Sequence, residues 1–150
     1  MGDARITIRP LRESDEAEWR GLWTGYLRYY ETEVSQDVYE TTFARLLSGH
    51  EHEYHGLVAV LGGRLVGLVH YLFHRHCWKV ENVCYLQDLF ADPKWRGKGI
   101  GGALIHAVYA AADRENAPNV YWLTQDFNAP ARGLYDRVGM LTPFIKYVRP

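Results

Sequence analysis

Cysteine is scarce: the chain holds only Cys77 and Cys84 in 150 residues. Two cysteines make no disulfide framework, so a reducing, cytoplasmic setting is expected. Long apolar runs are also missing. The most apolar stretch, GLVAVLGGRLVGLVHYLF (56–73), is broken by Gly62, Gly63, Arg64 and His70. It reads as paired strands, and no membrane partner is expected. Neither sign of charge prevails, with 17 Lys and Arg against 18 Asp and Glu. That balance excludes nucleic-acid binding driven by bulk charge. The opening residues MGDARITIRP contain no apolar signal core, and Ile6 stands where a myristoylation motif wants Ser or Thr. Repeats, low-complexity segments and linkers are absent as well, so one domain over residues 1–150 is expected.

The residues that are present can build a core: 47% are apolar and 14% aromatic. Charge is unevenly placed. Residues 11–55 carry ten acids against four bases, and residues 56–150 carry seven against eleven. An acidic half beside a basic half suits a cationic substrate and an anionic cofactor; two solvated surfaces explain it equally well.

Periodicity orders the chain as β-α-α-β-β-β-α-β-α-β. RITIRPL alternates as a first strand, and Ser14 can cap a helix to about Arg28 with Trp19, Leu22, Trp23 and Tyr26 on one face. Ser35 can cap a second helix to about Leu47. A hairpin turns at Gly62–Gly63 into a strand over 64–75, and a further strand covers 83–90. A helix is expected over 99–113, then the strand NVYWLTQ and a helix opened by Asn128 with Pro130 in its first turn. PFIKYVRP reads as a closing strand. The result is a mixed α/β domain with one parallel β-α-β crossover.

The stretch WRGKGIGGAL (95–104) concentrates chemistry. It contains G-x-G-x-x-G at Gly97, Gly99 and Gly102, and R-x-x-G-x-G from Arg96 to Gly101. Both patterns place phosphate on backbone N–H groups at a helix start. The dinucleotide reading fits poorly: ADPKWR separates the preceding strand from Gly97, and the next strand lacks an acid before Asp126. No Gly-Lys-Ser/Thr follows, so a Walker loop is excluded. Gly97, Gly99 and Gly101 allow close approach of a pyrophosphate, the helix adds its positive end, and Arg96 and Lys98 add charge, with Lys94 placed toward a ribose phosphate.

YLQDLFADPKWRGKGIGGALIHAVY followed by VYWLTQDFNAPARGLYDRVG resembles the GNAT superfamily of acyl-CoA-dependent N-acetyltransferases, closest to its small fungal and bacterial histone, polyamine and D-amino-acid acetyltransferase-like members. The likeness is densest over 83–148 and extends over nearly the whole chain. It implies a central mixed, twisted sheet of six to seven strands, about four flanking helices and a splayed parallel strand pair. It implies acetyl-CoA as co-substrate and transfer of its acetyl group to a primary amine in a ternary complex. It further implies that Leu89, Phe90 and Ala91 offer backbone groups to the pantetheine arm, that 96–102 (Arg96, Gly97, Lys98, Gly99, Ile100, Gly101, Gly102) hold the pyrophosphate, and that Asn128 contacts the cofactor. A homodimer through the C-terminal strand is expected on the same ground.

By the same resemblance Tyr135, two turns past Asn128, is the proton donor to the leaving sulfur. Relatives of the polyamine type have a glutamate where this chain has Gln87, and an amide cannot take a proton. Gln87 is left to orient water or substrate. Asp88 is a candidate catalytic carboxylate, although alternation is expected to send it to the opposite face from Gln87. His70 and His74 share a strand face and can relay a proton, or can be structural; solvent is a further proton acceptor. Glu31 and Glu33, after YLRYY, are candidates for binding the substrate's ammonium group. The histidine clusters 50–55 and 74–77 match no zinc spacing, and no metal is expected. A CoA-binding module without turnover and a nucleotide-dependent oxidoreductase are the alternatives.

Overall fold

The computed structural model describes residues 5–150. One five-stranded sheet runs in the order β1 (Thr7–Pro10), β2 (His55–Leu61), β3 (Arg64–His74), β4 (Val83–Ala91), β5 (Val120–Tyr121). Neighbours are antiparallel up to β4, and β4–β5 is parallel. Helices α1 (Glu16–Tyr29) and α2 (Gln36–Leu47) precede β2, α3 (Ile100–Arg114) forms the crossover between β4 and β5, and α4 (Ala129–Val138) follows β5. Four helices match the expectation. Among the described residues the sheet has five strands, against the six to seven expected.

The missing strand is the C-terminal one. PFIKYVRP takes no regular structure, and Phe144 and Tyr147 are 78% and 89% exposed. A strand is stabilised by its pairing, and this segment pairs with nothing in its own chain. β5 is also shorter than the 119–125 expected, because the backbone leaves β4 after Tyr121. The first helix starts late. Ser14 lies inside a 3-10 turn (Glu13–Asp15), and the Asp15 carboxylate does the work there, accepting the Arg12 N–H at 2.8 Å and pairing with Arg9 at 2.7 Å. Ser35 does stand at the start of α2, without a side-chain capping bond.

Two apolar clusters sandwich the sheet. On one face α3 buries Ile100, Leu104, Ile105, Val108 and Ala112 against Val66, Val69, Tyr71 and Leu86. On the other, α1 and α2 bury Trp19, Trp23, Tyr39 and Phe43 against Val58, Leu65 and Leu68. The start of α3 is pressed onto β3 at Gly67, where a Cβ would come within 2.6 Å of Ile100 Cγ2 and 3.1 Å of the Phe90 carbonyl oxygen. That contact fixes the glycine loop at the end of β4. Gly67→Ala is therefore expected to lower stability by about 1–3 kcal/mol through overpacking, measured by urea denaturation.

Candidate active site

β4 builds the centre of the site through two irregularities. The first is a bulge. His70 pairs with Asp88 but Tyr71 with Leu86, so Gln87 is an extra residue in the strand. Regular alternation would leave Leu86 and Asp88 on one face. The bulge instead leaves Leu86 under α3 and turns Asp88 toward α1. The expectation that Asp88 faces away from Gln87 is thereby corrected. Tyr54 borders both: its hydroxyl donates to Gln87 Oε1, and the Asp88 charge helps raise its phenol above the ordinary value, after burial.

The second irregularity is a splay. Only Cys84 and Tyr85 have partners on β5, Val120 and Tyr121. Beyond them Leu86 and Asp88 to Ala91 pair with β3 alone, and Leu89, Phe90 and Ala91 present an edge without a β5 neighbour. This edge runs through a short turn, Pro93–Trp95, capped by Asp92 Oδ1 on the Lys94 N–H at 3.0 Å, into the glycine loop.

In that loop Gly97 and Gly99 have φ of +76° and +71°, a left-handed conformation that glycine adopts without steric cost, and open space surrounds both. Arg96 and Lys98 are exposed beside them. Gly101 also lets α4 pack onto α3, since a Cβ there would meet Leu134 Cδ2 at 2.9 Å. Gly102 lies against the same leucine. Ile100 turns its side chain into the core, leaving its backbone for any ligand. The N–H groups of 100–102 open α3 and have no partner within the helix. Open glycines, unpaired N–H groups and two free bases fit an anionic pyrophosphate.

The far wall comes from α4 and the end of α1. Asn128, 5% exposed, donates from Nδ2 to Thr124 Oγ1 at 3.2 Å and accepts the Tyr29 hydroxyl on Oδ1 at 2.7 Å. It stands at the N-cap of α4, immediately before Ala129, without making the side-chain capping bond expected of it. Tyr135 is half-buried against Trp122, with ring centroids 5.5 Å apart. Burial, with Tyr30 and Tyr29 nearby, pushes its phenol up to about 12. Tyr29 and Tyr30 thus link Asn128 and Tyr135 to α1. Glu31, at φ +55°, and Glu33 are exposed on the turn that follows.

Residues 11–140 match the Acetyltransferase (GNAT) family. The chain belongs to the GNAT family. It is an acetyl-CoA-dependent N-acetyltransferase. It is 35% identical to the D-amino-acid N-acetyltransferase HPA3 of Saccharomyces cerevisiae, over 99% of this chain and 93% of that protein. It is 33% identical to the thialysine N-epsilon-acetyltransferase of Bos taurus, covering 91% and 84%. Among solved structures, the aminoglycoside N-acetyltransferase AAC(6')-Iy in complex with CoA superposes with a TM-score of 0.84 at 17% identity, over 99% and 97% of the two chains, a likeness of fold.

As a GNAT domain the chain has several groups in the cleft that the sequence reading passed over. Tyr26, Tyr30, Tyr54 and Tyr85 all lie close enough to feel the Asp88 carboxylate. Tyr85 stacks on Tyr121 at 4.9 Å, and the Tyr121 hydroxyl meets His74 Nε2 at 2.7 Å. The doubled tyrosine in YLRYY was the visible signal for Tyr29 and Tyr30; Tyr54 carried none. His70 and His74 form no relay: His70 is buried, with Trp19 on one ring nitrogen and Asp88 on the other, while His74 bonds the Arg75 carbonyl and Tyr121.

Among the described residues no group of three or more His, Cys, Asp and Glu is arranged to hold a metal, and no helix is long and apolar enough to cross a membrane. Cys84 lies in the core, and burial pushes its thiol up to about 12, so it is no nucleophile. Iodoacetamide on the native protein is expected to add one label, at the exposed Cys77, and a second only after denaturation, counted by mass spectrometry.

Proposed function

We propose that the site acetylates a primary amine, of a polyamine-like molecule, an amino acid or a peptide lysine, by direct attack of the amine on acetyl-CoA in a ternary complex. The observation that carries the reading is the open edge of β4 running into the glycine loop. Leu89, Phe90 and Ala91 would pair with the pantetheine arm as a strand does. Arg96, Lys98 and the N–H groups of 97–102 would hold the pyrophosphate, and Asn128 would meet the arm from α4. Glu31 and Glu33 would stand at the mouth, where an amine enters as a cation.

Acetyl-CoA supplies the thioester carbonyl. A free lysine-type amine has a pKa of about 10.4, so the nitrogen must first lose a proton, which solvent takes. The neutral nitrogen then forms the N–C bond as the C–S bond breaks. Tyr135 gives its phenolic proton to the departing sulfur and recovers one from the acylated nitrogen. Burial keeps this phenol protonated, hence a donor, throughout the neutral range. Gln87, held by Tyr54, orients water or substrate, and Asp88 stands beside it. No protein group is acylated.

The relatives named above act on a D-amino acid and on thialysine by name, which supports a small amine. A homodimer is supported by the C-terminal segment, where Phe144, Ile145 and Tyr147 lie outside any core of their own chain. Two free cysteines are in keeping with a cytoplasmic protein.

Tyr135→Phe is expected to bind acetyl-CoA with unchanged Kd by calorimetry while kcat falls about 100-fold or more. Loss of binding in that variant, or absence of acetyl-CoA binding by the wild type with NADH and ATP as controls, refutes the assignment. Deleting residues 140–150 is expected to halve the mass measured by sedimentation equilibrium.

A further inference from the structure

The reacting amine must give up a proton, and the Gln87 amide cannot take it. A different acceptor stands at the closed end of the gap between β4 and β5. His74 Nδ1 lies 2.7 Å from the Arg75 carbonyl oxygen, which can only accept, so Nδ1 carries the proton of the neutral imidazole. Nε2 is therefore bare. The Tyr121 hydroxyl, 2.7 Å from Nε2, must donate to it. That leaves lone pairs on the Tyr121 oxygen for a second donor. The ring itself is held by stacking on Tyr85, its register partner on β4, with centroids 4.9 Å apart and planes inclined by 17°.

The topology puts the acyl group beside this pair. The glycine loop lies beyond the C-terminal end of β4, so a pantetheine arm laid along Leu89 to Ala91 enters the gap from its open end. Its thioester end then points to the closed end, where Tyr85 and Tyr121 form the last pairing. Cys84 and Leu86 belong to the core under α3, so alternation turns Tyr85, and Tyr121 with it, to the other face. Tyr54, whose hydroxyl holds Gln87, lies within electrostatic reach of both phenols. Trp122, next along from Tyr121, turns back to the α3 side and packs on Tyr135. The proton donor for sulfur and the Tyr121 hydroxyl thus stand on opposite sides of one strand end.

We infer that Tyr121 and His74 form the exit path for the amine's proton, so that solvent takes it from His74 and not from the nitrogen itself. The inference rests on the acetyl-transfer reading above. An N–H of the acceptor's ammonium group, directly or through one water, meets the Tyr121 oxygen. As that proton arrives, the phenolic proton passes to His74 Nε2. One O–H bond forms as another breaks, Tyr121 stays neutral, and the amine's positive charge moves to the imidazole. The resulting imidazolium keeps both N–H groups bonded, to the Tyr121 oxygen and to the Arg75 carbonyl. His74 is half-buried, and Arg75 and the segment from Cys77 to Val80 beyond it are exposed, so water removes the extra proton there before the next turnover.

The titratable groups around the pair are Tyr85 and Cys84 of β4 and Tyr54 before β2, with Glu53 and Asp88 beyond Tyr54 and Arg75 and Lys79 on the exposed loop. His76 turns away to Trp78. Burial raises the phenols of Tyr54, Tyr85 and Tyr121 above the ordinary value and the Cys84 thiol to about 12. These four stay protonated through the neutral range, where imidazoles exchange their proton.

The test follows kcat/KM for the amine from about pH 6 to about pH 9.5 in the wild type, His74→Gln, Tyr121→Phe and the double variant. Acetyl-CoA is saturating, and the acceptor is whichever of 1,4-diaminobutane, D-alanine and Nα-acetyl-lysine amide the wild type turns over fastest. Wild-type kcat/KM is expected to rise and then level off in the neutral range. Each single variant is expected to lose about 100-fold at about pH 7 and to regain about tenfold per pH unit, because only amine already neutral in solution then reacts. The double variant should be no worse than either single one, since both interrupt one path. Calorimetry should give an unchanged acetyl-CoA Kd in all three, and nitrogen-15 NMR of the wild type above neutral pH should show His74 protonated at Nδ1 and bare at Nε2.

A wild-type pH profile that survives in either single variant, losses that multiply in the double variant, or an Nε2–H tautomer overturns the path while leaving the acetyl-transfer reading intact. Weakened acetyl-CoA binding in the variants overturns it too, because the two residues would then serve the cofactor or the fold. Failure of the wild type to acetylate any of the three amines overturns the amine-acetylation reading and the path together.

Discussion

β4 pairs with β3 from Val83 to Ala91 but finds β5 partners only for Cys84 and Tyr85. The peptide groups along its second edge must be met by water or by a ligand, because a buried and unpaired N–H or carbonyl is costly. A sheet keeps such an edge at its centre only if something holds the strands apart. Here α3 is pinned to β3 at Gly67, α4 is pinned to α3 at Gly101 against Leu134, and Gly139 is pinned to Trp122, whose ring would lie 2.8 Å from a Cβ. Three glycines at helix and strand contacts thus maintain the gap. The same packing leaves the loop glycines 97 and 99, which touch nothing, free to adopt left-handed turns.

The bulge at Gln87 is the counterpart of the splay. It bends β4 where pairing to β5 ends and moves Asp88 to the face covered by α1. That exchange places a carboxylate among Trp19, Trp23 and His70, a position for which no apolar residue would need such partners. Trp23 and His70 satisfy the buried Oδ2, and Trp23 is held by aromatic packing on Trp19 and Tyr39. Core and cleft are consequently one structure on this side of the sheet: the tryptophans that stabilise α1 also orient a polar group of the site.

The cleft spans the charge asymmetry of the chain. The acidic segment supplies α1, α2 and Tyr54, and the basic segment supplies the glycine loop and α4.

Sequence alone determined the element order, the crossover helix and the glycine loop, because each is written in local periodicity and in residues with special backbone freedom. The family resemblance also marked Tyr135 and Asn128 as site candidates. Sequence alone misjudged Asp88, since a bulge reverses alternation and no single residue type announces one. It also read PFIKYVRP as a strand of this sheet. Its composition favours pairing, but only the tertiary structure decides whether a partner edge lies within reach. Tertiary structure alone brought Trp19, His70 and Asp88 together, 51 and 18 residues apart along the chain, because a hydrogen bond depends on where side chains end in space.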